Sequence, residues 1–262
     1  MTVRAGIIGT ALAVAALALP SPAAAQRLVS SLSTHQVRVT SNYTGADLVL
    51  FGTVEPTDTA PLRPPGSYDI AITVSGPRET MVTRRKGRVL GVWANVESRQ
   101  FINVPSYLAV VTTRPVGAIA PREELLRHQI GLNNTVLTQR IGTDFADVVP
   151  TDPFRRAFMR IKQEQGLYSE RPNAVTFLSP SLFRADISLP AQVIFGSYDV
   201  EVELFADGRL LARDQGKLDV RKDGFEEFVA RSAREHSLLY GLAAMTMALM
   251  VGWLSSVIFR RD

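Results

Sequence analysis

The sequence predicts a mainly β protein: an immunoglobulin-like β-sandwich, in one lobe or two, with a helical insertion and one C-terminal transmembrane helix. Three observations carry this. Short runs rich in Val, Ile, Leu and Thr recur between turn residues, the pattern of a sandwich. Helical spacing replaces that pattern between 121 and 170 and then gives way to strands again. Finally, Leu238 to Phe259 is a stretch of 22 residues without a charge, about 33 Å of helix and enough to span a bilayer.

Residues 1–25 read as a secretory signal. Arg4 precedes the apolar run Ala5–Leu19, which at 15 residues is short for a membrane span. Pro20 and Pro22 break it, and Ala23-Ala24-Ala25 before Gln26 form a small-residue cleavage site.

Residues 26–120 form the first expected unit, a β-sandwich lobe. Its strands are "LVSSLS", "QVRVT", "DLVLFGTV", "YDIAITVS", "ETMVTRR", "RVLGVWANV" and "YLAVVTT". Residues 121–170 are expected to be a helical segment. "PREELLRHQIG" has proline at a helix start and glycine at its stop. In "TDPFRRAFMRIKQEQG", Thr151 or Asp152 caps the helix, Phe154, Phe158 and Ile161 make the apolar face, and Gly166 ends it. Arg155, Arg156, Arg160 and Lys162 are expected on the solvated face.

Residues 171–222 return to strands, as a second lobe or the completion of the first. The clearest is the hairpin "SYDVEVELFADGRLLARD", with Val200, Val202 and Leu204 inward, Asp199, Glu201 and Glu203 toward water, and an Asp207-Gly208 turn. Residues 223–237 are expected to be a juxtamembrane helix, with a capping spacing from Asp223 to Glu226. The membrane helix (238–259) carries Tyr240, Trp253 and Phe259 where interfaces favour aromatics, and Arg260 and Arg261 open a cytoplasmic tail (260–262). The expected location is the bacterial inner membrane, single-pass, with the main domain in the periplasm.

Several function classes drop out. The chain is +4, from 29 basic and 25 acidic residues, too small a bias for a nucleic-acid binder, and export removes the body from nucleic acid. The absence of cysteine excludes disulfides, thiol catalysis, thiolate metal sites and lipoprotein anchoring. His35, His128 and His236 lack metal-ligand spacing, and no nucleophile elbow or phosphate loop is present. Glu123-Glu124, Asp144/Asp147 and Glu226-Glu227 read as solvated charges. No catalytic residue, cofactor or metal is expected.

Two groups of residues stand out. "VTRRKGRVLGVW" gathers Arg84, Arg85, Lys86 and Arg88. A two-residue turn at Lys86-Gly87 would put these cations at a hairpin tip, as a solvated turn or as a site for an anion or partner: a lipid headgroup, a small oxyanion or an acidic protein surface. Trp93 is expected in the sandwich core. In the membrane helix, Ala244, Ala248, Gly252 and Ser256 recur every four residues as a candidate helix-docking face, with Met247 taken to lie opposite.

The blocks "LVLFG", "RRKGRVLGVWAN", "LFRADISLPAQV", "GSYDVEVELFADG", "KDGFEEFVA" and "YGLAA…GWLSSVIFRRD" resemble a family of alphaproteobacterial transmembrane proteins with an exported domain and one C-terminal membrane helix. The resemblance implies this topology and a membrane partner, and it carries no activity. The expected function is therefore a non-catalytic binding or accessory protein, partnering an inner-membrane transporter or complex or associating with itself. The alternatives are an anchored periplasmic hydrolase with a nonstandard carboxylate site, or a structural envelope protein.

Overall fold

A computed structural model of the chain describes residues 26–40, 42–57, 61–141, 144–222, 229 and 232–258. The expected signal peptide, the capping spacing from Asp223 to Glu226 and the tail at 260–262 lie outside the described residues.

Two sheets face each other. One runs β1 (Arg27–Leu32), β3 (Gly45–Glu55), β12 (Leu182–Pro190), β11 (Val175–Phe177). The other runs β10 (Tyr168–Arg171), β7 (Leu108–Thr112), β4 (Asp69–Ser75), β13 (Gly196–Ala206), β14 (Arg209–Lys222), β2 (Gln36–Val39). Neighbours are antiparallel except for the parallel pairs β7–β10 and β2–β14.

Alternation builds the layer between them. On β12, Phe183, Ala185, Ile187 and Leu189 are buried while Arg184, Asp186 and Ser188 are exposed. They meet Ile70, Ile72 and Val74 of β4 and Val200, Val202 and Leu204 of β13 in one core. Each of these Val, Ile, Leu and Phe side chains contributes roughly 1.5–3 kcal/mol on burial. Because β12 pairs with β3 and β13 with β4, residues 171–222 complete the sheets begun by 26–120 and build no separate lobe. The Asp207-Gly208 turn forms with both residues at positive φ, 52° and 75°. The expected solvent-facing acidic row is interrupted, since Glu203 is 2% exposed.

A third sheet, β5 (Arg78–Val89), β6 (Val92–Pro105), β8 (Thr138–Ile141), β9 (Asp144–Asp147), leaves the sandwich between β4 and β7. The segment expected to be helical thus contains three strands, β8, β9 and β10. The β-branched run from Thr135 to Ile141 reaches β6, where Thr138 and Gln139 pair with Ile102 and Phe101. Its helices are α2 (Arg122–Arg127) and α3 (Pro153–Glu164), and a shorter one, α1 (Val116–Ile119), precedes it at the end of the stretch expected to be only strands.

Helix α3 locks the base of the β5–β6 hairpin. The Phe158 ring lies 5.3 Å from that of Phe101 and 5.9 Å from that of Tyr168. Its buried face differs from the expected one. Phe154 and Phe158 are buried, but so are Arg155 and Lys162, while Ile161 is exposed. Arg155 is held by the carbonyls of Asn133 (3.1 Å) and Thr135 (2.7 Å), which satisfy a charge that burial would otherwise penalise. Burial pushes the pKa of both cations down. Helix α4 (Ser237–Ile258) is the membrane-length apolar helix, and none of its apolar window is buried against the body.

Candidate functional site

The β5–β6 hairpin corrects the expected placement of the basic cluster. The turn is not at Lys86-Gly87. It is at Leu90-Gly91, where φ is 50° and 84°, flanked by the pair Val89↔Val92. Gly87 serves a different purpose: a Cβ there would come within 2.9 Å of Val96, the extra residue of a bulge opposite Arg85 and Lys86.

The cations therefore lie along β5 behind the apex. Cross-strand pairs run Arg88↔Trp93, Gly87↔Ala94, Lys86↔Asn95, Arg85↔Glu97 and Arg84↔Ser98. Cross-strand partners share a face and successive pairs alternate. Val89 and Val92 thus take one face, and Arg88 and Trp93 the other. Arg85 is paired with Glu97 at 2.6 Å, and Arg88 reaches the Gly91 carbonyl at 3.4 Å.

Trp93 is not in the core but 68% exposed, because the ribbon has left the sandwich and, among the described residues, nothing covers either face there. Leu90 is fully exposed, and Val89, Val92 and Val96 are exposed beside it. Clustered exposed apolar side chains mark contact surfaces. Sequence reasoning found the cations and missed the apolar apex, although "VLGVW" is legible as an apolar run around a glycine.

A second cluster went unseen. His128, at the end of α2, sits 3.5 Å from Glu124 and 3.6 Å from Glu203, with its ring edge-on to Phe205. Arg213 bonds Glu203 and approaches His128 Nδ1 at 3.2 Å. A guanidinium only donates, so the Arg213 contact calls for Nδ1 as the acceptor, while Nε2 faces Glu124. Burial raises the Glu203 pKa despite the Arg213 charge beside it. The Glu124–His128 spacing of four on a helix was the available signal. A cleft of about 240 Å³ adjoins the cluster, lined by Arg78, Arg127, His128, Glu201 and Arg213 among others. Among the described residues no group of three His, Asp or Glu is placed to hold a metal ion. Of the carboxylate pairs, Glu226-Glu227 lies outside the described residues, and Asp147 accepts from Thr138 at 3.0 Å.

On α4, Ala244, Ala248 and Gly252 line a shallow groove with Tyr240 and Val251. Ser256 continues the same four-residue spacing. Met247 lines this groove too, so it is not on the opposite side. Ala243 lines the groove as well, and measured from the Ala244, Ala248, Gly252 and Ser256 row alone, at about 100° per residue, Met250 lies opposite.

No match is found among curated proteins. Among solved structures, the chain has a distant likeness to the N-terminal domain of the Streptococcus gordonii adhesin Sgo0707, at 12% identity and a TM-score of 0.28, over 74% of this chain. The likeness spans only 32% of the length of that adhesin chain and carries no argument about function. The family model described as "Putative transmembrane protein (Alph_Pro_TM)" matches residues 27–261, nearly the whole β body and the apolar helix, and the chain belongs to that family.

Proposed function

We propose that this is a membrane-tethered, non-catalytic binding or accessory protein whose contact element is the free end of the β5–β6 hairpin. The observation that carries the reading is the apex: a fully exposed Leu90 among exposed Val89, Val92 and Trp93, with four cations directly behind. Helix α4, long and apolar enough to span, provides the tether. The body lies in the periplasm and the C-terminus in the cytoplasm of a bacterial inner membrane. Arg260 and Arg261 after the apolar run support that orientation.

The sandwich is read as immunoglobulin-like. Supporting this are the strand orders β1-β3-β12-β11 and β7-β4-β13-β14-β2, and a β1–β2 segment that serves both sheets. A corner tyrosine adds to it: Tyr198, early in β13, donates its hydroxyl to the Ile194 carbonyl at 2.7 Å. On this reading the hairpin is an insertion between two strands of one sheet. The hydrolase alternative is weaker, because Glu203, the buried carboxylate of the His128 cluster, is engaged by Arg213 and faces no open space.

The chain has no cysteine, so single cysteines report position cleanly. In spheroplasts, Glu123→Cys, on exposed α2, should react with a membrane-impermeant maleimide, and Leu90→Cys should be protected until detergent is added. Equal labelling of the two would remove the hairpin end as the contact element. Failure of Glu123→Cys to label in intact spheroplasts would reverse the orientation.

A further inference from the structure

We propose that the apex of the β5–β6 hairpin inserts into the headgroup layer of an anionic lipid bilayer, an inference that rests on the hairpin end being the contact element. Three independent features point to lipid.

The first is the order of residues along the ribbon axis. Leu90 stands at the apex, followed by the Val89/Val92 and Arg88/Trp93 pairs, so the apolar end is about 7 Å deep at ~3.4 Å per residue. Lys86, Arg85 and Arg84 come next, out to about 20 Å. Interfacial elements bury their apolar part roughly 5–10 Å into the headgroup/acyl boundary. The cations would then stand among lipid phosphates, and Trp93 at the level where membranes favour tryptophan.

The second is that both faces of the ribbon are exposed at the end. Val89 and Val92 lie on one face, Trp93 on the other, and Leu90 beyond both. A protein partner lying against a flat ribbon covers one face. An environment entered end-on covers all of these side chains together. The polar backbone of the turn remains among hydrated headgroups at this depth, so no hydrogen-bonding group is stranded in hydrocarbon.

The third is the choice of leucine itself. The Leu90-Gly91 turn requires positive φ at both positions, where Asn or Gly is favoured and a bulky residue is strained. A leucine that is fully exposed and at φ 50° benefits neither folding nor solubility. Strain of this kind is a mark of function. With a membrane helix in the same chain, a bilayer is the apolar phase at hand.

The test uses the full chain reconstituted in phosphatidylglycerol-rich or pure phosphatidylcholine vesicles, with and without added protein-free vesicles of the same lipid. A polarity-sensitive dye on Leu90→Cys should shift to the blue and be quenched by shallow spin-labelled lipids in the anionic vesicles. Dye on Glu123→Cys should do neither. Raising salt should reduce the shift, since screening weakens attraction to the surface. Serine at Arg84, Arg85, Lys86 and Arg88 together should weaken it at least about tenfold, each basic residue near an anionic surface contributing about a fivefold factor. Leu90→Asn is the variant that separates binding from folding. Followed with the dye on Val92→Cys, it should insert several-fold less while unfolding no earlier, because asparagine suits the turn. A dye at Leu90→Cys that stays in water in every vesicle overturns the proposal. If Leu90→Cys is nevertheless protected in native membranes and crosslinks to a protein, the hairpin remains the contact element and its partner is protein, not lipid.

Discussion

Asp152 joins helix α3 to the projecting hairpin through its two carboxylate oxygens. Oδ1 accepts from the backbone N–H groups of Phe154 and Arg155, at 2.8 and 3.1 Å, and so caps the helix. Oδ2 accepts from Arg99 on β6 at 2.7 Å, and the Arg99 guanidinium lies 4.8 Å over the Phe154 ring. One side chain thus ends the helix and fixes the ribbon at its base, which sets where the apex points.

The first prediction separates those two roles. Asp152→Asn keeps an oxygen for the cap but loses the charge, and should cost about 1 kcal/mol, since Arg99 is partly solvated. Asp152→Ala loses both and should cost about 2–3 kcal/mol. Denaturant unfolding of the full chain in detergent measures this. Hydrogen exchange should also rise along β5 and β6 in the alanine variant. Equal losses for the two variants would mean that the cap contributes nothing, and an asparagine variant as stable as wild type would mean that the ion pair with Arg99 contributes nothing.

The second prediction concerns the sandwich core. Gly52 of β3 is opposite Phe183 of β12, and the phenyl ring lies across the glycine. A Cβ at Gly52 would stand 2.2 Å from that ring. Phe183 is fully buried and has nowhere to move, so Gly52→Ala should destabilise by about 1–3 kcal/mol or more. Gly52→Ala combined with Phe183→Leu should recover part of the loss. If Gly52→Ala unfolds like wild type, the ring is not packed on β3 as described.

The third prediction is a pH dependence. Burial raises the Glu203 pKa above its ordinary 4.5, and the bonded Arg213 only offsets part of the effect. The folded state therefore holds this proton at pH values where the unfolded chain has released it. Stability from this group falls as pH rises from about 4.5 to the folded value, then levels off. Glu203→Gln should remove that fall. Unfolding free energies of the two proteins, compared between pH 4 and pH 7, should show the wild type losing ground as pH rises. A wild type that gains on the variant over the same window would reverse the sign. Glu124, Glu201, His128 and Arg213 remain in both proteins, so the difference reports on the site that Glu203 occupies.

How much of this was legible follows from what each pattern encodes. Strand alternation and turn residues such as Asp207-Gly208 are local, and they placed the sandwich strands. The parallel β2–β14 and β7–β10 pairings join residues far apart in sequence, and no local pattern encodes them. The hairpin turn was misplaced because Lys86-Gly87 looks like a turn dipeptide, whereas Gly87 makes room for Val96 and the true turn uses a leucine. Trp93 was assigned to the core on the assumption that every strand of a sandwich has an inner face, and a ribbon that projects from the sheets has none. Arg155 and Lys162 were assigned to solvent from their charge, and only the loop carbonyls of Asn133 and Thr135 make the burial of Arg155 tolerable. The same nonlocality hid the His128–Glu203–Arg213 cluster, which draws on α2, β13 and β14.

The last prediction concerns how the membrane helix packs. Ala244, Ala248 and Gly252 leave a groove on α4 where a second helix backbone can approach closely, and Ser256 extends the spacing. Small residues contribute by their absence of bulk, so the informative change adds volume. Gly252→Leu should fill the groove, separate the backbones and reduce helix association in a membrane two-hybrid or energy-transfer assay. Met250→Leu, facing the other way, changes shape little on a lipid-exposed surface and should leave association unchanged. Met247→Leu would be a poor control, because Met247 lines the same groove about 60° from Ala244. Both variants keep the helix apolar and long enough to span, so membrane insertion itself should be the same in each. If Gly252→Leu and Met250→Leu associate equally, the small-residue face packs against lipid, and the tether acts only as an anchor.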